Sequence, residues 1–152
     1  MAGLAFDVNI PSKSLSATTP TTVGFLTAPT NQRVKLLGYG FYFDGNSNSA
    51  VPIEIKLARP TALGTLTSGG TPIPCDQGVT ETIQSVVGLA ASAEPTLTAS
   101  LVAKTITVHP QLGYEYLAPL GQEEMIKGGQ TFVFSANAPA TVNIRGYMKF
   151  EE

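Results

Sequence analysis

Hydrophobic and polar residues alternate with a period of two along most of this chain. Between residues 141 and 150, Val142, Ile144, Met148 and Phe150 fall on one side, and Thr141, Asn143, Arg145, Tyr147 and Lys149 on the other. That alternation marks a strand with one buried face. Residues 130–135 form a companion strand, and Asn137-Ala138-Pro139 is the turn between them. Only Glu151 and Glu152 follow, so the chain is expected to end inside its own fold. At the other end Leu4, Phe6 and Val8 share one face of a short segment stopped by Pro11, and a Ser/Thr-rich loop follows to residue 19. Residues 21–27 are a second short strand. Residues 32–44 are the longest β run: Val34 and Leu36 share one parity, while Leu37, Tyr39, Phe41 and Phe43 share the other. One extra residue flips the facing of everything after it, so a bulge is expected at Leu36-Leu37. Gly38 and Gly40 fit sharp curvature or close approach of another backbone.

Asp44 to Ser49 reads as a turn. The chain returns with Ile53, Ile55 and Leu57 pointing in and Glu54 and Lys56 pointing out, until Pro60. Residues 61–78 are a long connection with a short strand near 71–73. Residues 80–89 are β-branched enough for a strand but also fit one or two helical turns. Residues 90–100 are another long connection, 101–108 a strand, 114–117 a short edge strand, and 123–127 lead into Gly128-Gly129. Eight or nine strands without a convincing helix mean a sandwich or barrel. The long connections suit crossovers. The expected fold is all-β: a jelly-roll or β-sandwich of about eight antiparallel strands with Greek-key connections. Residues 1–20 are an N-terminal strand or arm, and residues 21–152 a single domain.

At 152 residues the chain supports one domain with a substantial core. Charged residues make up 13%, about half the usual share. A sparsely charged surface suits contact with other proteins, where charge is depleted at the centre of an interface. Net charge is −2, and the nine Lys and Arg are scattered singly. Nucleic-acid binding needs clustered positive charge, so that class is set aside. No apolar run reaches the ~18 residues of a membrane span, and the first residues do not read as a signal peptide. One cysteine allows no internal disulfide and no cysteine-based metal site, which fits synthesis in a reducing cytosol.

Candidate chemistry is thin. His109 is the only histidine and precedes Pro110, with no evident carboxylate partner. Cys75 sits between Pro74 and Asp76 with no basic neighbour to lower its pKa. The doublets Glu123-Glu124 and Glu151-Glu152 point to opposite faces of a strand, so neither makes a catalytic pair by itself. Asp44 to Asn48 has too few charged ligands for calcium. A cupin-type enzyme needs several His and Glu ligands. No catalytic, cofactor or metal residue is therefore assigned, and the chain is read as not an enzyme. The candidates for partner contact are Leu4, Phe6 and Val8, which could add a strand to a neighbour, and Lys56 and Arg59, which flank a strand end.

Four stretches resemble small virion proteins of tailed bacteriophages. They are Ile53-Glu-Ile-Lys-Leu-Ala-Arg59 leading to Gly64-Thr65, then Pro72 to Asp76, then Ala93-Glu94-Pro95, then Val142 to Glu152 with its aromatic-Glu-Glu ending. The resemblance spans roughly residues 50–152. It implies a capsid decoration (cement) protein with a jelly-roll fold. Such a protein is a homotrimer seated on the outer surface of the virion, bound to the major capsid protein across subunit junctions and made in the host cytoplasm. The alternative is a phage tail or fibre component whose jelly roll binds host glycan, with Tyr114 and Tyr116 as the aromatic candidates for sugar stacking.

Overall fold

The computed structural model describes residues 3–44 and 51–152. Apart from Asp44, the expected Asp44–Ser49 turn lies outside the described residues.

Among the described residues, twelve strands form two antiparallel six-stranded sheets. They are β1 (Ala5–Leu15), β2 (Thr21–Thr27), β3 (Val34–Phe43), β4 (Ile53–Ala58), β5 (Thr65–Ser68), β6 (Pro72–Pro74), β7 (Val86–Ala93), β8 (Val102–Val108), β9 (Tyr114–Leu117), β10 (Glu124–Ile126), β11 (Thr131–Asn137) and β12 (Val142–Glu151). The first sheet runs β6-β1-β12-β3, and β10 and β9 share the far edge of β3. The second runs β5-β7-β2-β11-β4-β8. Successive strands of the frame alternate between sheets except for β4 and β8, which are neighbours in the second. Four strands of the first sheet, β1-β12-β3-β9, face four of the second, β2-β11-β4-β8. That order is the jelly roll of two Greek keys.

The surplus over eight strands comes from two places. β10 is a three-residue pairing beside β9 on β3. β5, β6 and β7 lie in the long connection from β4 to β8, where β6 extends the first sheet beyond β1 and β7 and β5 extend the second beyond β2. Residues 80–85, where strand and helix competed in the sequence, are neither; β7 begins at Val86. The only helical turn among the described residues is a 3-10 turn at Ala99–Leu101. No helix among them is long and apolar enough to cross a membrane.

The core is the alternation read in three dimensions. Val142, Ile144, Met148 and Phe150 of β12 meet Ile53, Ile55 and Leu57 of β4 and Phe132 and Phe134 of β11 in one cluster. The parity switch in β3 is a bulge. Lys149 pairs with Gly38 and Phe150 with Leu36, which leaves Leu37 without a partner in the ladder. Leu36 on one side of it and Tyr39 and Phe41 on the other are all buried. The glycines of β3 serve close approach: a Cβ on Gly40 would stand 2.6 Å from the Tyr147 ring, and one on Gly38 would stand 2.7 Å from Leu117.

Of the two alternatives for the N-terminal segment, strand or arm, the structure has a strand of the first sheet. β1 lies between β12 and β6, paired from Ala5 opposite Glu151 to Leu15 opposite Val142 with a register shift between Ile10 and Lys13. Backbone bonds between Leu4 and Glu152 continue that pairing.

The outer face of the second sheet is covered by its own chain. Phe25 and Val133 have the opposite parity to Leu26 and Phe134, and a strand with one wet face would expose them; they are 2% and 0% exposed. Residues 59–64 leave β4, and residues 94–101 return to β8 in the opposite sense. The two runs bond through Thr61 N to Thr96 O, Thr96 N to Ala62 O and Arg59 N to Leu101 O. Together they form a strap, and its Glu94, Pro95 and Leu97 line one cleft with Glu54 and Lys56 of β4 and Ser135 and Asn137 of β11.

Candidate functional site

The sequence-derived candidates do not converge. Phe6 and Val8 are core residues, 4% and 0% exposed, so neither offers its side chain to a partner; Leu4 packs half-buried against the same core. Lys56 is taken by Glu54 at 2.8 Å on the outer face of β4. The Arg59 guanidinium lies 4.9 Å from the centre of the Phe132 ring, and its backbone holds the strap. Tyr114 and Tyr116 pack on the buried Tyr39, and the Lys104 ammonium sits 3.8 Å over the Tyr116 ring. Those rings are not free for stacking.

His109 follows β8 and opens a turn. Its Nδ1 accepts from the Gln111 backbone N–H at 3.2 Å, and its carbonyl accepts from Leu112 N–H. The exposed Cys75 donates its thiol to Asp7 Oδ2 at 3.3 Å. Partial burial first, and then the Asp7 carboxylate, raise the thiol above its ordinary value, which disfavours the thiolate that chemistry would need. Among the described residues no three His, Cys, Asp or Glu gather as a metal site would require.

Two surfaces remain. The first is the outer face of the β6-β1-β12-β3 sheet, which no strap of the described residues covers. Three ion pairs lie on it: Asp7 with Lys149 at 3.8 Å, Lys35 with Glu151 at 3.0 Å, and Asp44 with Arg145 at 2.5 Å. Tyr147 donates to Glu115 at 2.5 Å; partial burial and that carboxylate both hold its phenol above the ordinary range. One row of opposed residues runs Ile73, Asp7, Lys149, Gly38, Leu117 across the whole sheet. Its two ends are apolar and open, 61% exposed at Ile73 and 62% at Leu117. Past Leu117 a turn closed by Gln122 N–H to Pro119 O, with Gly121 at φ 83°, lifts Leu120 into solvent at 98% exposure.

The second surface is a cleft of about 250 Å³ where the strap crosses the other sheet. Pro20, Pro95 and Leu97 give its apolar wall, and Glu54, Lys56, Ser135 and Asn137 its polar floor. Glu54 stands opposite Asn137 and Lys56 opposite Ser135 in the β4–β11 ladder. Glu94 completes the rim. Its Oε2 accepts from Thr22 N–H at 2.9 Å and from the Thr22 hydroxyl at 2.5 Å, which pins the start of the strap to β2. Sequence reasoning missed this cleft because its members come from four separate segments. The one local signal was the Glu94-Pro95 pair inside a long connection.

Family models, curated proteins and solved structures were all compared with this chain, and none matches it.

Proposed function

We propose that this chain is a structural virion protein of the decoration type, acting as a homotrimer that binds the outer surface of a phage head and ties major capsid subunits together. The observation that carries the reading is the uncovered outer face of the first sheet. It is broad, three ion pairs lie on it, its Glu115 carboxylate accepts from the Tyr147 hydroxyl, and apolar residues lie at both ends. A face whose charges are matched internally can be covered by a protein surface without stranding an unpaired ion, the costly outcome at any interface. The strap and the edge strands make the rest of the molecule self-sufficient, which suits a part that adds binding free energy and no chemistry. The glycan-binding tail reading has lost its aromatic platform, since both tyrosine rings are occupied.

The test is sedimentation of the purified protein with heads that lack decoration. The expected result is saturation at a fixed ratio per capsid subunit, together with heads that resist higher temperature. Failure to sediment with heads, combined with binding to host polysaccharide, would replace this reading with the tail alternative. Native mass measured free and on the shell tests the trimer; a monomer in both settings removes that part.

A further inference from the structure

We infer that the cleft beneath the strap is a socket for an arginine side chain of a protein partner, which gives the proposed capsid attachment a second anchor on the sheet opposite the uncovered face and rests on that reading. At about 250 Å³ the cleft lies below the ~300–1,000 Å³ of small-molecule sites and suits a single side chain. Its chemistry is rich in acceptors. Glu54 and Glu94 bring two carboxylates against one ammonium, Lys56, which is already bonded to Glu54. A further cation, Lys13, lies outside the lining, bonded to the Thr22 and Leu89 carbonyls, and interacts electrostatically with Glu94. Both bonds to Glu94 fall on Oε2, on the side of Thr22.

Asn137 supplies an independent sign. Its Oδ1 is buried and has no donor among the described residues. A buried acceptor without a partner costs about 1–3 kcal/mol, so its persistence calls for an explanation. The terminal torsion of asparagine is broad, and Oδ1 has no bond to lose when the amide turns toward a donor in the cleft. Pro20, Pro95 and Leu97 supply apolar surface for an aliphatic stem. A planar guanidinium with five donors can reach several acceptors at once, which a compact ammonium cannot. A saccharide would need donors and acceptors in balance and gains little here.

The experiment is a heteronuclear NMR titration with N-acetyl-arginine amide, beside its neutral isostere N-acetyl-citrulline amide and a neutral hexose. Arginine should shift the Asn137 side-chain amide and the Ser135 and Thr22 backbone amides in a saturable manner. Citrulline should bind at least about tenfold more weakly, and Glu54→Gln should weaken arginine by a similar factor, roughly one step of 1.4 kcal/mol. An equal response to citrulline, a response to hexose alone, or no saturable shift would overturn the inference. Head binding separates the two claims. If heads bind the wild type and Glu54→Gln equally, the socket is wrong and the decoration reading stands. If arginine saturates the cleft but heads are not bound, the reverse holds.

Discussion

Tyr39 shows most plainly what a single side chain contributes here. Its ring is fully buried among Phe41, Tyr114, Tyr116 and Phe134, yet its hydroxyl has no partner among the described residues. Tyr39→Phe removes that orphan and keeps the packing. The expected gain is about 1 kcal/mol, read as a melting temperature higher by roughly 2–4 °C. The pH dependence carries a definite sign. Burial first, and then Tyr114, Tyr116 and Glu124, raise this phenol above its ordinary 10.0, so the folded state holds the proton after the unfolded chain has released it. That stability is complete below pH 10 and is lost as pH climbs toward the folded value. Alkaline melts of Tyr39→Phe should therefore fall off less steeply above pH 10 than those of the wild type. Glu152 is the other residue with more work than its position promised. Its carboxylate accepts from Gln32 Nε2 at 2.7 Å, and from the backbone N–H of Gln84 and Ser85, each at 2.8 Å. Glu152→Ala should cost about 1–2 kcal/mol, with faster amide exchange at Gln84 and Ser85 than elsewhere.

At the scale of elements, strand existence was legible wherever one face is buried and the other wet. β12 and β4 follow the alternation, and the bulge in β3 was visible as a flip of parity at Leu36-Leu37. What the alternation could not carry was pairing. Leu4, Phe6 and Val8 look the same in a strand that completes its own sheet and in one offered to a neighbour, because both bury the same face. The difference lies in β12 and β6, far off in sequence. A chain starting at residue 16 decides the matter: it removes the strand between β12 and β6 and uncovers Phe150, the stacking partner of Phe6. No cooperative thermal transition is expected from it, whereas an arm could be cut away with the melt unchanged. The strap and the cleft were illegible for a related reason. Buried residues on both parities of β11 resemble a central strand of any sandwich, and nothing local says that residues 59–64 and 94–101 return to cover them.

The whole molecule leaves few ways to be touched. Its sheet edges are guarded against strand addition. β6 is three residues long with Pro72 and Pro74 at its ends. β8 turns Lys104 inward over Tyr116 and toward Glu124 at 3.6 Å. β5, β9 and β10 are three or four residues each. Short edges, prolines and inward charges are the devices by which sheets avoid pairing with strangers. Association through side chains on faces and turns is then favoured, and two of the most exposed apolar ones, Leu117 and Leu120, stand beside the uncovered sheet. An exposed leucine on a turn fixed by Gly121 has little conformational freedom left to lose, which is how a small contact becomes an anchor. Leu120→Asp should leave the melting temperature within about 1–2 °C of the wild type, because the side chain buries nothing in the free protein. It should weaken attachment to heads at least about tenfold, an aspartate in an apolar contact being worth one such step or more. Unchanged attachment would move the contact away from this edge of the sheet, toward the opposite end of the same row at Ile73.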